Sequence, residues 1–181
     1  MAELRPFRVV LAPPDPAWER RAALEGERLR GVLGAVLVEV HHIGSTAIPG
    51  IEAKPIVDLM PVVVGLAEFD RLQGAVQGLG YRVWGESGIE RRRYCTINSA
   101  LHGRREVQAH VYAAGDPHIE RHLAFRDYMR AHGDEARAYE AEKRRCRDLH
   151  PDDSHAYWEA KSAWVRAAEG RALAWWSGRG G

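Results

Sequence analysis

Val36-Leu37-Val38-Glu39-Val40-His41-His42-Ile43-Gly44-Ser45-Thr46, followed by Ala53-Lys54-Pro55-Ile56-Val57-Asp58-Leu59-Met60, decides the reading of this chain. Val36–Ile43 alternates and is rich in β-branched residues, which marks a strand. Gly44–Gly50 is turn-rich. Pro55–Val64 is a second apolar run, bracketed by Pro55 and Gly65. Side chains on a strand alternate faces, so Ile56, Asp58, Met60 and Val62 share a side. Asp58 is then a charge in an otherwise apolar strand, and it needs a hydrogen-bonded partner or an ion.

Outward from this pair, Asp15-Pro16 reads as a cap with proline at the first helical position. Trp18, Ala22, Leu29 and Leu33 supply the helical stripe that follows. Arg8–Leu11 reads as a short opening strand stopped by prolines. Leu66–Leu79 reads as one amphipathic helix closed by Gly80. Tyr81–Trp84, Tyr94–Asn98 and Glu106–Tyr112 complete a sheet. Then the pattern changes to helices only: one from Asp116-Pro117, one from Asp134 to Leu149, and a long last one after Pro151–Ser154. Strands mixed with helices, then helices alone, indicate an α+β fold with a C-terminal helical layer. Residues 1–177 read as one domain and Gly178–Gly181 as a flexible tail.

Composition bounds the partners. The 181 residues carry 26 basic and 25 acidic side chains, so a net charge of +1 argues against a grip on extended nucleic acid. Arg91–Arg93 and Arg104–Arg105 read as solvated strand edges or, less simply, as contacts for one small polyanion. Cys95 and Cys146 lie in no metal-ligand spacing and read as reduced. No apolar stretch approaches membrane-spanning length, and a cytoplasmic protein with no membrane partner is the expectation.

A strand entering a Gly-Ser-Thr turn can present backbone N–H groups and hydroxyls to a phosphate, and a neighbouring carboxylate can hold Mg²⁺ against it. A plain turn and a backbone-bonded Asp58 are the alternatives. Glu106, Gln108, His110 and Tyr112 form the polar face of a later strand, which suits an ion or substrate site, or simply the wet side of a sheet. Lys161 shares a stripe with Tyr157, Trp164 and Val165, and Lys143 repeats that spacing with Tyr139; each lysine reaches a phosphate or snorkels to water.

His42-Ile43-Gly44-Ser45-Thr46-Ala47-Ile48-Pro49-Gly50 with Ala53–Asp58 resembles the signature of the GrpB family, within the polymerase beta-like nucleotidyltransferase superfamily. His110-Val111-Tyr112, His122–Tyr128, Tyr139–Lys143 and Asp153 with Tyr157, Lys161 and Trp164 extend the resemblance over nearly the whole chain. The resemblance implies a mixed nucleotidyltransferase-type sheet flanked by helices. It also implies an NTP as substrate, Mg²⁺ or Mn²⁺ as cofactor, and transfer of a nucleotide to an acceptor. His42, Gly44, Ser45, Thr46, Lys54, His110, Lys143 and Lys161 would contact the nucleotide. Asp58 would hold the metal, and Glu106 would stand in for the second acid, whose place Met60 occupies. The alternative is a non-catalytic module for a nucleotide- or CoA-type ligand.

Overall fold

The computed structural model describes residues 5–179; Gly180 and Gly181, half of the expected tail, lie outside the described residues. Its centre is a five-stranded sheet in the order β1-β2-β5-β4-β3. The strands are β1 (Leu37–Ile43), β2 (Val57–Val63), β3 (Arg82–Val83), β4 (Arg93–Asn98) and β5 (Arg105–Ala113). Only β2 and β5 run parallel; the other neighbours are antiparallel. The expected α+β class with a mixed sheet is therefore the one adopted.

Helix α1 (Ala17–Leu33) begins where Asp15 accepts the Ala17 N–H at 2.8 Å, as the Asp-Pro cap predicted. It lays Trp18, Ala22, Leu29 and Leu33 on one face of the sheet, against Leu59, Val63, Val107 and Val111. Burying each such side chain contributes about 2 kcal/mol. Glu25 is also buried in that stripe, bonded to Arg28 and to the Tyr81 hydroxyl. The helix expected over 66–79 is two short ones, α2 (Leu66–Arg71) and α3 (Gln73–Gly78). A tight Leu72 N–H to Phe69 carbonyl bond closes the first, and Gly74 and Gly78 lend the second little helical propensity.

The opposite face is covered by α4 (Pro117–Ala131), α5 (Gly133–Leu149) and α6 (Ser154–Ser177). Asp116 and Asp153 cap α4 and α6 as the sequence predicts. The expected Arg8–Leu11 strand does not form. That segment has one bridge, Ala12 to Ala53, and a Val9 N–H bond to the Pro151 carbonyl. The prolines that follow remove the donors a ladder needs. Cys95 and Cys146 are buried free thiols. Among the described residues no helix is long and apolar enough to cross a membrane.

Candidate functional site

The face of β2 and β5 turned toward the C-terminal helices carries Asp58, Gln108 and His110. Asp58 pairs with Gln108 in the parallel ladder, and Gln108 Nε2 donates to Asp58 Oδ1 at 2.9 Å. His110 Nε2 stands 3.5 Å from the same oxygen. Gly44 turns the chain out of β1 with φ +69°, and the next residues form a 3₁₀ turn, Ser45–Ala47. Arg126 and Arg130 of α4 brace this corner by donating to the carbonyls of His42 and Ala47. Ser45 donates to the Tyr139 hydroxyl at 3.1 Å, and Tyr139 stacks on Trp164 at 5.4 Å, so α5 and α6 hold the turn's outer side.

A cleft of about 670 Å³ opens between this corner and the helical layer. Gly44, Ser45, Lys54, Asp58, His110, Lys143 and Lys161 all line it, so most of the expected site residues do converge. His42 and Thr46 do not line it. His42 pairs with Leu59 and faces α1, and its Nε2 lies 2.9 Å from Thr46 Oγ1, pinning the turn from behind. Burial pushes the His42 imidazole down to about 4 against the pull of Asp58, so at neutral pH it carries no charge for a phosphate.

Glu106 is likewise not brought to Asp58. A β-bulge sets Ile97 opposite Val107 but Asn98 opposite Arg105, which puts one extra residue into β5. Parity flips at the bulge. Glu106 turns toward α1, 3.6 Å from Arg21, and Arg105 takes the place in the cleft that the sequence assigns to Glu106. Met60, fully buried, packs with Ile43, Tyr112, Ile119 and Leu123 under α4. Among the described residues no group of three or more His, Cys, Asp or Glu side chains could hold a metal ion. A two-metal centre requires paired acids bridging both ions. One carboxylate, already bonded to Gln108, does not fit it.

What the cleft has instead is positive charge: seven basic side chains line it against two acidic ones. Among the described residues, no carboxylate lies within ion-pair distance of Lys54, Arg92, Arg105, Lys143 or Lys161. Lys143 is 1% exposed, its ammonium bonded to the Glu52 carbonyl and 4.7 Å from the Tyr139 ring. Lys54 sits 5.3 Å from the rings of Phe7 and Tyr157. Burial pushes Lys143 down to about 7 and Lys54 to about 8, and Lys161 pushes both further. Arg105 Nε is buried with no hydrogen-bond partner. Buried charge without a counter-charge is costly, so these groups are arranged for an anion.

Arg92, Arg105, Arg121 and His122 also line the cleft, the last two without being among the expected site residues. Of the two readings of the arginine runs, the solvated edge does not hold for Arg92, which is 6% exposed. A signal was present: Arg92 has the parity of Tyr94, which pairs with His110.

A family model described as GrpB protein matches residues 8–171. The UPF0157 protein YqkA of Bacillus subtilis is 39% identical over 86% of this chain and 44% of its own length. A dephospho-CoA kinase of Mycolicibacterium paratuberculosis is 30% identical over 92% of this chain and 46% of its own. The chain thus spans about half the length of these two relatives. The crystal structure of the conserved protein GrpB from Enterococcus faecalis superposes with TM-score 0.86 at 32% identity, over 92% of this chain and 99% of that one. A looser likeness, TM-score 0.46 at 12% identity over 70% of this chain and 39% of the other, is to the Cid1 poly(U) polymerase.

Proposed function

Because this chain belongs to the GrpB family, and because its cleft holds buried cations with no acid partner, we propose that it binds a nucleotide-type ligand through that ligand's phosphates. The observation that carries this is the meeting of Lys54, Lys143 and Lys161 with Ser45 on the walls of one cleft. Three ammonium groups and a hydroxyl supply donors and charge for a di- or triphosphate without a metal ion. The aromatic rings of Phe7, Tyr139 and Tyr157 keep water from the lysine stems. The relative called a dephospho-CoA kinase places CoA-type nucleotides among the ligands to test, beside ATP and other NTPs.

A second reading, nucleotidyl transfer assisted by one Mg²⁺ or Mn²⁺, is favoured by the position of Asp58. Its Oδ2 packs against Gly44, so the carboxylate stands at the turn where phosphates would lie. In that reading the lysines would offset charge on the pyrophosphate leaving group.

The test is a thermal titration in EDTA with pyrophosphate, ATP and CoA. A ligand that binds the folded state raises the melting temperature with concentration. Lys161→Gln, at a partly exposed position, is expected to weaken the shift without unfolding the chain. No shift with any of the three at millimolar concentration would sink the proposal.

A further inference from the structure

Resting on that reading of the cleft, we infer that it holds a second, separate anion subsite. Built around Arg92, this subsite would take a terminal phosphate monoester on the same ligand. The ligand class is then a nucleotide with a diphosphate at the lysine end and a distinct monophosphate at the arginine end.

Arg92 carries the inference. Its Nη2 donates to the carbonyls of Glu86 and Ser87 at 3.1 and 2.8 Å, and its Nη1 lies 3.2 Å from His110 Nδ1. Its Nε also donates to the Glu86 carbonyl at 3.3 Å, so these partners fix the guanidinium, leave one Nη1 hydrogen free and leave its charge uncompensated. A buried guanidinium with no carboxylate partner is stabilised by an anion that approaches its remaining N–H. Arg121 and His122 of α4 stand beside it, with Arg121 Nη2 3.1 Å from His122 Nε2. Arg121 is paired with Glu169, which leaves Arg92 as the free charge of this group.

The loop over Arg92 forms one wall of the cleft. Ser87, Gly88 and Ile89 line the cleft there. Ser87 and Arg91 adopt φ of +48° and +60°, and Gly88 one of +82°. Non-glycine residues in that region are strained and cluster at ligand sites.

The two ends are built from different elements: Lys143 and Lys161 come from α5 and α6, whereas Arg92 immediately precedes β4 and Arg121 comes from α4. Between them lie Asp58 and His110, the latter facing Arg92 with one ring nitrogen and Asp58 with the other. A terminal monoester carries about −1.5 to −2 charges at neutral pH, more than an internal diester oxygen set, and suits the Arg92 end.

Two matched pairs test this, CoA with dephospho-CoA and NADP with NAD, since each pair differs by one ribose monophosphate. Affinities would be measured by calorimetry in EDTA. At least one phosphorylated member is expected to bind about tenfold tighter than its partner. Arg92→Gln should abolish that gain, lowering affinity for the phosphorylated member about tenfold more than for its unphosphorylated partner. Arg92→Lys, which keeps the charge but loses the bonds that orient the guanidinium, should retain only part of it and serves if the glutamine variant does not fold. Equal affinities within both pairs would overturn the inference while leaving the lysine end standing. So would a gain that survives in Arg92→Lys and Arg92→Gln alike. If no member of either pair binds, while pyrophosphate does, the second subsite is also refuted; if pyrophosphate fails too, both readings fall together.

Discussion

The Cβ that Gly44 lacks would stand 2.5 Å from Oδ2 of Asp58 and 3.0 Å from its Cβ. Turn and carboxylate are therefore fitted to each other, and the positive φ of Gly44 adds a second reason for glycine. Gly44→Ala is expected to cost about 2–3 kcal/mol, part backbone strain and part displaced carboxylate. In an Asp58→Ala background the clash with Oδ2 is gone, and the backbone strain plus the 3.0 Å contact with the remaining Cβ should leave about 1–2 kcal/mol. Urea unfolding of the four proteins in the cycle checks this, and strict additivity would show that the two residues do not press on one another.

Met60→Asp is expected to destabilise by about 3 kcal/mol or more, because it buries an unpaired carboxyl. The position packs among Ile43, Tyr112 and Leu123 rather than lining the cleft. The substitution should neither raise Mg²⁺ affinity nor start NTP turnover. Restored turnover in a folded variant would mean that α4 can move away from this strand.

Much of this architecture was legible because alternation is a strong signal in β1, β2 and β5, and because Asp15, Asp116 and Asp153 announce their helices. Gly44, Ser45 and Asp58 were readable as neighbours from the turn and the strand that follows it; i, i+4 spacing marked Lys143 and Lys161 only as lysines on half-apolar faces, and the resemblance alone joined them and Lys54 to that turn. Glu106 was not, since a bulge is a pairing event between two strands, and one strand's residue types do not reveal it. The same bulge hid Arg105. Arg92 was hidden differently: a run of arginines has the composition of a solvated edge, and only the register with His110 puts its middle member inside.

Glu25 tests the other face of the sheet. It is 1% exposed, hydrogen-bonded to Arg28 at 2.8 and 3.0 Å and to the Tyr81 hydroxyl at 3.1 Å, and ion-paired with Arg21 at 3.1 Å. Glu25→Ala leaves the Arg28 and Tyr81 groups short of a partner and is expected to cost about 3–5 kcal/mol. Glu25→Met, which fills the volume, should cost less. Phosphate affinity should not change in either, because α1 lies across the sheet from the cleft. Thermal unfolding and a pyrophosphate titration separate the two effects.

Lys143 makes stability depend on pH in a defined direction. Burial holds its ammonium down to about 7, with Lys161 pushing the same way and Glu140 and Glu52 opposing; its ordinary value is 10.5. Between those values the unfolded chain binds more protons than the folded one, so stability rises with pH. Lys54, held down to about 8, adds to the rise. The urea midpoint should climb from about pH 7 to 9 in the wild type and climb less in Lys143→Met. A phosphate ligand that keeps Lys143 charged should take up protons at pH 8, seen as a buffer-dependent binding enthalpy. An unchanged slope in Lys143→Met would remove Lys143 from this account.

Asp58 divides lysine-held binding from metal-assisted transfer. Its Oδ1 accepts from Gln108, and the cations around it lie beyond ion-pair distance. If the lysines alone hold the phosphates, Asp58 is a negative charge facing a polyanion. Asp58→Asn should then bind ATP in EDTA as tightly as wild type or several-fold more tightly, and added Mg²⁺ should weaken wild-type binding by masking the ligand's charge. If a metal ion bridges Asp58 and the phosphates, Mg²⁺ should tighten wild-type binding and Asp58→Asn should lose that gain. Stability offers an independent readout. Among the described residues, no basic side chain except His110 is within ion-pair reach of Asp58, so the asparagine variant should be as stable as wild type without ligand, within about 1 kcal/mol. Calorimetry of both proteins, with and without Mg²⁺, assigns the carboxylate to one role or the other. We expect the first pattern, because the cleft's charge already matches a phosphate chain without an ion.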